Sequence, residues 1–207
     1  MLQHILFTPK GYGADGETRW PLMLFLHGAG ERGNDLVKLR KYGPPKMVLE
    51  DSEFPFLLVA PQCPIGSYWH SASLLQLLDR VIKVHAVDES RIYITGVSMG
   101  GYGAWQLAAD EPGRFAAIAP ICGGGDPRDA PRIKDLPVWA FHGDQDDIVP
   151  LSETLKMVDA IRRAGGNPKV TIYPGVGHDS WTSAYAEPDL FSWFLSHARA
   201  SGGTDAV

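Results

Sequence analysis

Arg91-Ile92-Tyr93-Ile94-Thr95-Gly96-Val97-Ser98-Met99-Gly100-Gly101 is the stretch on which the fold turns. Ile92–Val97 is apolar and β-branched, the composition of a buried strand, and Gly100–Asp110 is a helical run. The G-x-S-x-G pattern between them sets Ser98 on a sharp strand-to-helix turn. Strand and helix backbones approach closely there, so the positions two residues either side of the serine must be almost free of side chain, and Gly96 and Gly100 meet that demand. Ser98 then projects above the sheet as a candidate nucleophile. The Met99 amide, in the first helical turn, faces any oxyanion formed beside it.

Outward from this turn, apolar β-rich runs alternate with helical ones. Strands are expected at Gln3–Thr8, Leu22–His27, Phe56–Pro61, Ile92–Val97, Ala116–Ala119, Val138–His142 and Val170–Tyr173. Helices are expected at Leu74–Val84, Gly100–Asp110, Ser152–Ala164 and Asp189–Arg199. That alternation predicts an α/β fold: a mostly parallel sheet of about seven strands with helices on both faces. Residues 1–200 are read as one domain and 201–207 as a disordered tail. Gly123–Pro137 is too short to hold a lid domain and is expected to be an irregular loop, leaving the strand ends open.

A serine hydroxyl needs an imidazole to take its proton and a carboxylate to orient that imidazole. On this type of sheet the chain order is serine, acid, histidine. Of the seven histidines, that order leaves His178 and His197. His197 falls on the expected terminal helix, as a surface residue. His178 lies in the loop Pro174-Gly175-Val176-Gly177-His178, which follows a strand and can swing an imidazole to Ser98. The acid comes from the turn Asp144-Gln145-Asp146-Asp147; Asp144 sits near the strand end as a turn cap, and residue chemistry alone leaves Asp146 and Asp147 open.

Leu22–His27 runs into Gly28-Ala29-Gly30, a loop of small residues able to aim backbone N–H groups at an oxyanion. Ala29 is the leading second donor, followed by Gly30. His27 is expected to hold the loop, and Glu31 and Arg32 to pair locally rather than meet a polar substrate. Tyr68 and Trp69, after the third strand, and Trp181, beyond His178, are candidates for a pocket wall.

Bulk properties narrow the setting. The 207 residues are 44% hydrophobic and 21% charged, with a net charge of -5. That charge balance offers no clustered cations for a nucleic-acid partner. Apolar runs such as Phe54–Ala60 fall far short of the roughly 20 residues of a membrane span. The N-terminus lacks an export-signal pattern, so a cytoplasmic location is expected, or a secreted or periplasmic one had a signal been trimmed. Cys63 and Cys122 lack metal-type spacing and are read as two free thiols. A triad needs no metal or organic cofactor. Oligomeric state, monomer or homodimer, stays open.

Together, Leu26-His27-Gly28-Ala29-Gly30-Glu31-Arg32-Gly33, Ala60-Pro61-Gln62-Cys63-Pro64, Asp88 with Arg91-Ile92-Tyr93, Gly96–Gly101, Phe141–Pro150 and Gly177-His178-Asp179-Ser180-Trp181 resemble the phospholipase/carboxylesterase-like branch of the α/β-hydrolase superfamily. That branch includes esterase D-like and feruloyl-esterase-like enzymes, some labelled predicted peptidases. The resemblance implies the α/β-hydrolase fold and hydrolysis of small-molecule carboxylic esters through an acyl-enzyme. It also implies that Asp146 is the acid and Ala29 the second oxyanion donor. Relatives often carry further N-terminal strands, whereas this sequence opens on what corresponds to the second strand of the fold. The same triad serves peptidases and thioesterases, and a binding module that has kept the fold is the alternative from another class.

Overall fold

A computed structural model describes residues 2–50 and 53–200; the tail expected at 201–207 lies outside the described residues. Seven strands form one sheet: β1 (His4–Phe7), β2 (Trp20–Leu26), β3 (Leu57–Pro61), β4 (Val87–Val97), β5 (Ala117–Ile121), β6 (Trp139–Gly143) and β7 (Lys169–Tyr173). Their spatial order is β1-β3-β2-β4-β5-β6-β7. β1 pairs antiparallel with β3, and every other pairing is parallel. β3, β5 and β6 are buried along their whole length, which is why they read as unbroken apolar runs rather than as alternation.

The helices are α1 (Pro44–Glu50), α2 (Ser71–Val84), α3 (Met99–Asp110), α4 (Leu151–Arg163), α5 (Trp181–Tyr185) and α6 (Leu190–Leu195). On one face of the sheet Leu22, Leu24, Leu26, Val59 and Ile94 meet Leu74 and Leu78 of α2, Ala104 and Trp105 of α3, and Met157 and Ile161 of α4. On the other, Met23, Phe25, Leu58, Tyr93 and Phe141 meet Tyr185 of α5 and Leu190 and Phe194 of α6, with Met47 and Val48 of α1 at the margin. Successive strand residues thus feed opposite layers, as the two-residue period requires.

Three expectations need correction. β4 begins at Val87, not Ile92: Val87 pairs with Trp20, and a register break between Trp20 and Leu22 absorbs the polar Asp88–Arg91 stretch. The last helix ends at Leu195, so His197 lies beyond it, half-buried against the Trp193 ring. α1 and α5, at seven and five residues, are too short to show a helical period, and neither was foreseen.

The segment 123–137 is loop apart from a single 3-10 turn, Pro127–Arg132, pinned by buried Ala130 and Ile133. Cys63 and Cys122 are both free and buried. Among the described residues no helix is long and apolar enough to cross a membrane.

Candidate active site

Ser98 sits between β4 and α3 at φ 54 and ψ -117, a left-handed conformation that a residue with a side chain adopts only under constraint. Constraint comes from both sides. A Cβ on Gly96 would stand 2.4 Å from the Gly100 carbonyl oxygen, and one on Gly100 would stand 1.9 Å from the Leu26 carbonyl oxygen. The Ser98 amide is tied to the Ile121 carbonyl at 2.9 Å, fixing the turn to the end of β5.

The loop after β7 brings His178 over this turn. Its Nδ1 is 2.8 Å from Asp146 Oδ2, and its Nε2 is 2.9 Å from Ser98 Oγ. Since a carboxylate only accepts, Nδ1 carries the hydrogen and Nε2 is left to accept from the Ser98 hydroxyl. The Asp146 side chain is wholly buried and takes the Ile148 and Val149 amides on Oδ1 at 3.0 and 2.9 Å. Burial works to raise its pKa, but the hydrogen bond from His178 and those two amides outweigh it and hold the carboxyl below its ordinary range. Its neighbours are placed differently. Asp144 accepts the Gly175 amide at 2.7 Å on the surface, and Asp147 is exposed.

The oxyanion-loop candidates lie close by. A Cβ on Gly28 would be 3.6 Å from Ser98 Cβ, so the loop passes directly against the serine. Ala29–Glu31 is a 3-10 turn whose bonds run from Glu31 N–H to Gly28 and from Arg32 N–H to Ala29. The Ala29 and Gly30 amides precede the first donor of that turn, as the Met99 amide does in α3, so none of the three has an acceptor within its own helix.

His27 is buried, accepting the Cys63 amide on Nε2 at 2.9 Å and donating from Nδ1 to the Gly28 carbonyl. Burial is the main cause that lowers its pKa to about 4, so the ring is a neutral strut. Glu31 and Arg32 do not pair with each other. Glu31 turns inward and accepts the Tyr42 hydroxyl, while Arg32 donates to the Ala29 and Ser67 carbonyls and lies over the Tyr68 ring.

A cavity of about 550 Å³ opens beside Met99, walled by Tyr68, Trp69 and Tyr102, with Gln106 and Asp126 as polar groups. Trp69 also donates to the His27 carbonyl at 3.2 Å. Trp181 belongs elsewhere: its ring meets His178 edge-on at 5.4 Å and lines a smaller cavity of about 300 Å³ with Tyr42 and Met47. The first cavity takes in Met99, the residue after Ser98, and the second takes in Trp181, whose ring touches His178.

Cys122, whose significance residue chemistry did not reveal, lies at the end of β5 with φ 40. Its Sγ lies within 4.8 Å of donor atoms of Asp146 and His178. Burial, only partly offset by Ser98 and Ser180, pushes its thiol up to about 12, so it stays protonated and is neither a thiolate nucleophile nor a thiolate ligand at neutral pH.

Known proteins resemble this chain in sequence and in fold. A thermostable esterase of known structure superposes with a TM-score of 0.83 at 33% identity, covering 95% of this chain and 59% of its own. A poly(3-hydroxyoctanoate) depolymerase from Pseudomonas fluorescens is 26% identical over 92% of this chain and 78% of its own length. A bifunctional acetylxylan esterase/xylanase from Neocallimastix patriciarum is 29% identical over 62% of this chain, which spans only 20% of that protein. The sequence pattern of the dienelactone hydrolase family matches residues 71–189, more than half of the chain. Because that match runs unbroken from the start of α2 to the residue before α6 and takes in Ser98, Asp146 and His178, the chain belongs to the dienelactone hydrolase family of α/β-hydrolases.

Proposed function

We propose that the protein is a serine esterase that cleaves small carboxylic esters through an acyl-enzyme. The observation that carries this reading is the continuous relay from Ser98 Oγ to His178 Nε2 at 2.9 Å and from His178 Nδ1 to Asp146 Oδ2 at 2.8 Å. His178 takes the serine proton as Oγ attacks the ester carbonyl, and Asp146 stabilises the imidazolium that forms. The developing oxyanion lies toward the Met99 and Ala29 amides, with Gly30 as the adjacent donor. Imidazolium then returns the proton to the leaving alcohol. Water, deprotonated by the same imidazole, releases the acid and restores Ser98.

The esterase and depolymerase activities named for the relatives point to ester substrates. The cavity walled by Tyr68, Trp69 and Tyr102, which reaches Met99, suits a substituent of such an ester.

Steady-state turnover of p-nitrophenyl acetate tests the assignment. Ser98→Ala and His178→Ala should each lose about 10^4-fold or more in kcat while keeping the wild-type unfolding transition. Wild-type turnover by either variant would overturn it.

A further inference from the structure

Among the described residues, His142 is a buried polar group to which the triad gives no role. It is the penultimate residue of β6, its side chain is fully excluded from solvent, and it lies next to the acid loop. Its ring nitrogens can be assigned from their surroundings. Nε2 stands 2.9 Å from the Val149 carbonyl oxygen and 3.2 Å from Asp146 Oδ2. Both are acceptors only, so Nε2 carries a hydrogen, given to the Val149 carbonyl with its positive edge toward the carboxylate. Nδ1 meets Thr154 Oγ1 at 2.8 Å, and that hydroxyl is 2.7 Å from the Gly123 carbonyl oxygen. The imidazole thus joins β6, α4 and the acid loop, and Thr154 carries the connection on to Gly123, after β5.

The loop from Gln145 to Pro150 has no helix or strand of its own. Ile148 is exposed there, whereas Val149 is buried. Of the two amides that Asp146 Oδ1 accepts, that of Val149 belongs to the buried residue, whose carbonyl is in turn held by His142.

We propose that His142 is the positioning residue of the acid: it anchors Val149, Val149 anchors Asp146, and Asp146 orients His178. The inference rests on the triad reading above. His142 touches no reacting atom in it and acts through the acid, by way of Val149 and its own 3.2 Å contact with Asp146 Oδ2. A carboxylate displaced by a fraction of an ångström would leave His178 in the right place less often, which costs turnover rather than substrate binding.

The test compares His142→Phe, which keeps a planar ring without the donor, with His142→Gln, which keeps a side-chain N–H. With p-nitrophenyl acetate, His142→Phe should lower kcat by roughly 10- to 100-fold with KM within about twofold of wild type. His142→Gln should recover most of that loss. The low-field proton resonance of the His178–Asp146 hydrogen bond should weaken in the Phe variant and return in the Gln variant. Wild-type kcat in His142→Phe, or a Gln variant no better than the Phe variant when both fold, would overturn the proposal. Should the Phe variant fail to fold, Thr154→Val carries the test: a lowered kcat at constant KM and unfolding temperature supports the relay, and an unchanged kcat overturns it. An active Ser98→Ala protein would instead strike at the triad itself, so the two failures are distinguishable.

Discussion

Gly100 shows how narrowly the Ser98 turn is built. A methyl group there would overlap the carbonyl of Leu26, a backbone group of β2, which is paired in the sheet to β3 and β4 on either side. Gly100→Ala should therefore cost about 3 kcal/mol or more, measured by urea unfolding, where an ordinary exposed helical glycine would gain from the same change. His27 makes a second prediction, in pH. The unfolded chain protonates this histidine near its ordinary 6.5, and the folded chain only near 4. Between those values folding expels a proton, so the stability His27 contributes is complete above pH 6.5 and drains away as pH falls toward 4, by up to about 3 kcal/mol. Unfolding free energies of the wild type and His27→Gln between pH 7 and pH 4 should show the steeper acid decline in the wild type; parallel curves would contradict it. At this scale much of the candidate site was legible: strand, glycines and chain order single out Ser98 and His178, and the fold brings the two side chains within 2.9 Å. Residue chemistry could not separate Asp146 from Asp147, since both are acidic and adjacent, and what divides them is the burial of one and the exposure of the other. Glu31 was misjudged for a related reason. A charge beside Arg32 looks like its partner until the 3-10 turn sends the two in opposite directions, Glu31 to Tyr42 and Arg32 to Ser67.

Among the elements, the long amphipathic helices were recognisable, and α6 was expected although longer than it is, whereas α1 and α5 were not seen. α2 shows its inward face in Leu74, Leu77, Leu78 and Val81, three and four residues apart. α5 is only five residues, with the Asp179 carboxylate before it accepting the Thr182 amide and hydroxyl at 3.1 and 2.8 Å, and so short a helix leaves no periodic trace. β4 was extended by tertiary pairing to Trp20 against its own polar composition, a case of sheet context overriding local preference. The elements around the larger cavity make a prediction that separates binding from catalysis. Tyr68 is exposed at the rim, whereas Trp69 both walls the cavity and holds the His27 carbonyl. Tyr68→Ala should raise KM for a bulky aryl ester several-fold and leave kcat for the acetyl ester unchanged, while Trp69→Ala should lower kcat for both. Equal effects of the two variants on kcat would contradict the division. His142 escaped notice at the sequence level because its value lies in partners from three elements that only the fold brings together.

The candidate site lies at the C-terminal ends of the central strands, with Ser98 directly after β4. The segment 123–137, where a cap would enter, is a loop with one 3-10 turn, and the larger cavity opens to solvent past exposed Tyr68. Turnover of a soluble short ester should therefore rise smoothly through the solubility limit, and a sharp increase as droplets form would contradict an open site. The central claim is that Ser98 is a nucleophile armed by His178. The most direct measurement is mass spectrometry of the protein after reaction with a fluorophosphonate. We predict one phosphonyl adduct, on the peptide that carries Ser98, formed by the wild type and lost in both Ser98→Ala and His178→Ala. An adduct on another residue, or undiminished labelling of the Ser98→Ala protein, would contradict the account.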